Sequence, residues 1–597
     1  MERQDYRVQR PWMATVAQQF QSPEPLDAGT RIVEVFERPE LNRQLLILGE
    51  PGAGKTTMML ELAQDLLERA TADKAEPIPV LLSLSSWKNP QQSIFEWLVG
   101  ELKGKYGIRQ DLGQRWLKNN QLLPLLDGLD EVAPQHQQTC AVAVNNWLLG
   151  ELDQQPCGAL ICCRREEFEQ VVRQPLSLYG ALYLRALTVE QIEDYFTQFG
   201  LQDVWQTVQQ DEALQEWLTT PLFLSMFGLV QTQKKFSLDH WRARATSKQK
   251  FEYLLNTYWE ATITRELITN PNEKRQGIGS KTYGTKQPPT SQAVRRSLVF
   301  AAKMLERESS TELLIEKMQP AALITQWQEE AYRLILGLIL GLILGLIGGL
   351  IGGLILGLSV ELIWWLILGL VWWLILGVIF GLIGMVFGLT LGQIFGLIEP
   401  VEEISISMSR FARRDVLQSL CDWLIGGLSV GLIFGLILGL ILWLSGEQIW
   451  WLILGLIGGL IEGLKADIQT RIEPNQGLKN SVKNMVIVTA IALVMALPFK
   501  FLLEHLLSNV VNSEALPQLV AVLIVFLIWL SFQEGGGLAL IQHLALRLVL
   551  AWNCYAPFRY DLLLNYCTER LLLQRVGGRY RFMHKLLQDH FAKMDFD

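Results

Sequence analysis

Paired cysteines, a basic excess and an apolar leader are all missing from this sequence. The seven cysteines (Cys140, Cys157, Cys162, Cys163, Cys421, Cys554 and Cys567) form no CxxC pair and no Cys/His metal spacing. A scattered, odd-numbered set excludes a disulfide scaffold or a zinc module and suits reduced thiols. Acidic residues outnumber basic ones, 60 to 52, for a formal net charge of −8. No basic stripe is available to coat nucleic acid, so no nucleic-acid partner is expected. The opening MERQDYRVQRPWMATVAQQF has no apolar core, and no cleavable signal peptide is expected. Leucine-rich, TPR and WD repeats are absent too, as are nuclease and protease motifs.

What is present is unevenly distributed. The 597 residues allow three or four domains. Residues 1–42 form a polar lead-in, and from Leu45 short apolar runs alternate with helical stretches. LLIL (45–48), PVLLSL (79–84), LLPLL (122–126) and ALICC (159–163) suit buried strands of a parallel sheet, the βαβ rhythm of an α/β domain. This core is expected over 43–188, followed by a helical domain over 189–330.

Residues 334–398 hold one charged residue, Glu361. Apolar stretches of about 20 residues read as membrane spans. SVELIWWLILGL (359–370) recurs as SGEQIWWLILGL (445–456), which predicts hairpins over 334–358 and 362–384 and over 422–444 and 448–464. A third pair falls at 485–502 and 515–532, making about six spans over 334–532. The linkers carry Arg410, Arg413, Arg414, Lys465, Arg471, Lys479 and Lys483, whereas the turns 359–361 and 445–447 carry no base. The positive-inside rule then places the linkers, the leading domain and the segment 538–597 in the cytoplasm of a multi-pass inner or plasma membrane protein. Glycines recurring every fourth residue, from Gly337 to Gly357 and from Gly427 to Gly439, suit close helix packing in a lipid bilayer. An anchor and a pore are both compatible with that stripe.

The chemistry-bearing signal is GEPGAGKT: Gly49, Glu50, Pro51, Gly52, Ala53, Gly54, Lys55 and Thr56, with Thr57 beside it. It fits GxxxxGK[ST] between a strand and a helix. Backbone N–H groups there cradle phosphates, Lys55 adds positive charge at the β- and γ-phosphates, and Thr56 offers a hydroxyl to Mg²⁺. Seventy-two residues after Lys55, the apolar LLPLL ends in Asp127, suited to holding the metal. Asp130 and Glu131 follow where a water-activating carboxylate sits.

These residues resemble the bacterial NACHT family of P-loop NTPases, within the STAND class of signalling ATPases. The match lies in a small residue, Gly128, directly after the metal aspartate, with acidic residues two and three positions further on. In CCRREEF (162–168), Arg164 is similar to the family's sensor arginine for the γ-phosphate; the plainer alternative is a pairing with Glu166 or Glu167. In LTTPLFLSMFGLV (218–230) the resemblance puts Pro221 near the adenine. RYRFMHKLLQDHFAKM (579–594) resembles the end of a winged-helix segment, with His584 matching the histidine that contacts the β-phosphate of ADP. Several hundred residues separate it from the helical domain, so either a block is inserted in the regulatory half or 540–597 is a separate module. The resemblance implies ATP/ADP and Mg²⁺ as ligands and a slow ATPase acting as a switch. It also implies self-association, an external protein or ligand stimulus, and a setting in signalling or antiphage defence. A membrane ATPase motor and a nucleotide-gated pore are the alternatives.

Overall fold

The computed structural model describes residues 14–18, 24–27, 29–150, 156–171, 176–267, 271–308, 310–355, 474–487, 490 and 536–596. It divides into two compact units. One comprises Met1–Leu313 with Leu562–Arg575 and Tyr580–Asp597, and the other Leu314–Asp561 with Val576–Arg579.

The first unit is built on a seven-stranded sheet, ordered β2-β1-β7-β3-β6-β5-β4. Its strands are β1 (Ala14–Gln18), β2 (Glu24–Pro25), β3 (Gln44–Gly49), β4 (Ile78–Ser83), β5 (Leu122–Asp127), β6 (Ala159–Arg164) and β7 (Gly180–Leu184). From β7 to β4 all neighbours run parallel; β1 joins β7 and β2 antiparallel. The four apolar runs of the sequence are β3 to β6. Strand periodicity sends successive side chains to opposite faces. Leu45, Ile47, Leu123, Leu125, Leu160 and Cys162 accordingly join one core with Met59 and Leu62 of the helix Lys55–Ala72. Leu46, Leu48, Leu126, Ile161 and Cys163 join another with Trp97 and Val144 of the helices Ile94–Tyr106 and Gln137–Leu148. Burial on both faces is why these strands read as continuous apolar runs.

Helices from Val189 to Thr264 surround an aromatic core of Phe196, Trp205, Phe227 and Trp241. The C-terminal part of this unit contributes most of the helix Tyr560–Glu569, most of a hairpin of β8 (Leu573–Val576) and β9 (Arg579–Phe582), and the helix Lys585–Ala592. Many ties hold it to the helical region. Tyr258 Oη donates to the Leu571 carbonyl at 2.9 Å, and Arg296 Nε to that of Phe596 at 3.0 Å. The Glu569 carboxylate accepts from Ser280 Oγ and Thr282 N, each at 2.6 Å. Phe591 meets Trp259 edge-on.

In the second unit, the helix Gln326–Ile355 contacts the helix Gly537–Trp552. The Glu316 carboxylate accepts from Gly477 N at 2.6 Å, at the start of the helical residues 476–487. Among the described residues no helix is long and apolar enough to cross a membrane. The expected fold class, with a multi-span region over 334–532, and the multi-pass inner or plasma membrane placement are corrected accordingly. The physical reason lies in the first expected span. The helix that carries it begins ahead of it, at Gln326, and buries Leu336 of that span inside the protein rather than presenting it on an apolar rod. The repeat 359–370/445–456 and the expected spans 362–384, 422–444, 448–464 and 515–532 lie outside the described residues, as does most of 485–502.

Candidate nucleotide-binding site

The site gathers at the C-terminal ends of three adjacent parallel strands, β3, β6 and β5. β3 ends in Gly49, and register sets Gly49 opposite Arg164, the last residue of β6. β5 ends in Asp127. The crevice outside the carboxyl ends of the strands is where open α/β sheets bind ligands.

The loop after β3 turns through Gly52 (φ 83°) and Gly54 (φ 99°), the left-handed conformation in which a side chain is strained. Ala53 N donates to the Glu50 carbonyl at 3.0 Å, closing the turn around Pro51. Lys55 Nζ donates back to the carbonyls of Gly49 (2.8 Å) and Glu50 (3.1 Å), holding the ammonium over the loop. Thr56 and Thr57 lie in the first turn of the helix Lys55–Ala72, half-buried. Thr56 Oγ1 donates to Asp127 Oδ2 at 2.8 Å.

Pro221 begins the helix Pro221–Thr232, where its lack of an N–H costs nothing. Leu222 N donates to the Gly52 carbonyl at 3.2 Å, so the turn containing Pro221 packs against the phosphate-type loop.

The acidic residues separate into distinct environments. Burial pushes the Asp127 carboxyl up, opposed by the Thr56 hydrogen bond and the Arg581 charge. Burial, aided by the negative charge of Asp127, pushes Glu131 up to about 8. Glu131 folds back over Gly128, where an added Cβ would lie 3.0 Å from its Oε2; that accounts for a small residue after Asp127. Asp130 instead faces Arg164: Oδ2 meets Nε at 2.9 Å, and Oδ1 accepts from the Arg164 backbone N at 3.0 Å. Arg164 Nη1 also donates to Glu167 Oε1 at 3.1 Å, the plainer pairing open from sequence. Burial, which would lower the guanidinium pKa, is outweighed by Asp130 and Glu167, and the value is raised.

His584 caps the helix Lys585–Ala592, its Nδ1 accepting from Leu586 N at 3.1 Å. Burial lowers its pKa to about 4, and the charges of Arg164 and Lys55 push the same way. Despite its distance along the chain, His584 thus lies within the electrostatic reach of both cations at the strand ends. Two residues that sequence reasoning missed accompany it. Arg581, whose Nε donates to Gln574 Oε1 at 2.8 Å, lowers the Asp127 pKa, and Lys585 lowers that of Glu131. Nothing local in the sequence distinguishes these two from other surface cations.

The residues fit a nucleotide with Mg²⁺. The left-handed glycines curve the loop backbone as a phosphate cradle requires, and the half-buried Asp127 carboxyl, raised by desolvation, calls for a cation. Among the described residues no cluster of three or more His, Cys, Asp or Glu could hold a metal by itself. Mg²⁺ keeps waters and binds through one or two protein groups plus phosphate oxygens, a demand that Thr56 and Asp127 meet.

Fold and site define a P-loop NTPase. Residues 43–203 match the NACHT domain family, and this stretch is a NACHT-type P-loop NTPase domain. No curated protein matches the chain. Among solved structures, the Aeropyrum pernix ORC1 protein in complex with DNA is similar over 51% of this chain and 76% of that chain, at 13% identity and a TM-score of 0.25.

Proposed function

We propose that the protein is a nucleotide-operated switch that binds ATP and ADP with Mg²⁺ and hydrolyses ATP slowly. The observation that carries this reading is the meeting of two remote parts of the chain. Lys55, Arg164, Asp127 and Glu131 sit at the strand ends, and His584, Arg581 and Lys585 face them from the C-terminal segment. A motor gains little from a C-terminal cation within electrostatic range of its metal aspartate. A switch gains a closed state in which the C-terminal segment senses what occupies the loop.

In this reading the loop Gly49–Gly54 holds phosphates through its backbone N–H groups. Lys55, now on the Gly49 and Glu50 carbonyls, would serve the β- and γ-phosphates, and Thr56 and Asp127 would hold Mg²⁺, which would supply charge neutralisation at the phosphates. Glu131 takes the proton of the attacking water, Arg164 reads the γ-phosphate, His584 reads the β-phosphate of ADP, and Pro221 borders the base. Exchange of ADP for ATP frees the C-terminal segment and permits self-association. A setting in signalling or antiphage defence rests on the family resemblance alone.

Turnover tests the proposal. The purified chain should retain nucleotide and hydrolyse ATP well below about 1 s⁻¹. Steady turnover at or above that rate, with no retained nucleotide, would favour a motor.

A further inference from the structure

Asp130 and Glu131 are neighbours with the same chemistry but different surroundings. The Asp130 side chain is only 5% exposed and is committed on both oxygens to one residue, Arg164. Its Oδ1 holds the backbone at the end of β6 and its Oδ2 holds the guanidinium, whose other arm is on Glu167. Register places Arg164 beside Gly49, where the phosphate-type loop begins. An arginine at that position can be held by carboxylates or by a terminal phosphate, and the two compete for the same donors.

We propose that Asp130 is a positioning residue, a latch that sets the preference for ATP over ADP by competing with the γ-phosphate for Arg164. Glu167 is the latch's outer, weaker part. This rests on the nucleotide reading above and goes beyond it by removing Asp130 from water activation. ADP has no γ-phosphate and leaves the latch shut. ATP opens it only by outcompeting two carboxylates, so part of its binding energy is spent on release. Couplings between sites of this kind are typically ~5- to 150-fold.

Asp130→Asn keeps an oxygen for the Arg164 backbone N–H and removes the charge facing the guanidinium. On the full chain, the affinities for ADP and for an imido-bridged ATP analogue are measured in wild type, Asp130→Asn, Arg164→Ala and the double variant. Asp130→Asn should raise the analogue-to-ADP affinity ratio about 5-fold or more, and should have no effect on that ratio once Arg164 is alanine. Glu167→Gln, at a more exposed position, should shift the ratio in the same direction by less. It carries the test if Asp130→Asn fails to fold. An unchanged ratio in both single variants, or an equal rise in the Arg164→Ala background, would overturn the latch. Failure of the wild type to bind either nucleotide would instead overturn the nucleotide reading itself, so the two failures are distinguishable.

Discussion

The Thr56 hydroxyl donates to Oδ2 of Asp127 across 2.8 Å, joining the helix that follows the phosphate-type loop to the end of β5. The two residues lie 71 positions apart in sequence and form one metal-ready pair. Beside them Lys55 is held by two loop carbonyls. Lys55→Ala should therefore weaken ATP binding about 100-fold or more, because the loop keeps its shape but loses its charge. Isothermal titration checks it; an unchanged affinity would remove the site.

Glu131 sets a pH dependence. Burial first, then the Asp127 charge, raises its pKa to about 8. A base works deprotonated, and Mg²⁺ on Asp127 would cancel part of the upward push, so hydrolysis should rise about tenfold per pH unit at low pH and flatten at or below about 8. Glu131→Gln should cost about 100-fold or more in kcat and abolish the slope. A flat profile in the wild type would count against Glu131 as the base.

His584 sets another. Its pKa in the folded protein, about 4, lies below its ordinary value of 6.5, so the folded state binds fewer protons than the unfolded one between those limits. Its contribution to stability is present above pH 6.5 and is lost as pH falls through 4, by up to about 1.4 kcal/mol per pH unit. His584→Ala should flatten that part of the stability curve and speed ADP release. Melting curves at pH 4–7 and a nucleotide chase report each effect, and retention equal to wild type would leave His584 with a capping role only.

Glu569 is the chief polar anchor of the C-terminal segment, accepting from Ser280 Oγ, Thr282 N and Thr282 Oγ1. Glu569→Ala leaves these donors unpaired and should cost about 2–3 kcal/mol. Chemical denaturation measures the loss, and limited proteolysis near 280–286 should quicken.

Gly52 is constrained twice. Its φ is 83°, and a Cβ would stand 2.8 Å from Leu222 Cβ. Gly52→Ala should cost about 1–3 kcal/mol and weaken nucleotide binding by pushing the helix Pro221–Thr232 off the loop. A wild-type melting temperature would show that the two elements part without penalty.

Legibility from sequence followed the range of the interactions. β3 to β6 were readable because both faces are buried, which forces continuous apolar runs. β7 was missed: its burial alternates, and GALYL is too short to stand out. β1 was missed because the polar lead-in forms a strand chiefly by pairing along its whole length with β7, a partner more than 160 residues away. The glycine-striped block was read as a membrane region from its apolar runs, glycine stripe and flanking charges, none of which tells what protein surface the helix opening at Gln326 packs against.

The sequence by itself determined the phosphate-type loop, the metal-ready aspartate and the parallel sheet, because backbone geometry and strand burial fix residue types at short range. Only the tertiary structure decided that Asp130 and Glu131 have different environments, and that Arg581, His584 and Lys585 face the strand ends. Those facts depend on which elements pack together across hundreds of residues. Electrostatic shifts arise from distances in space, and no local pattern encodes them.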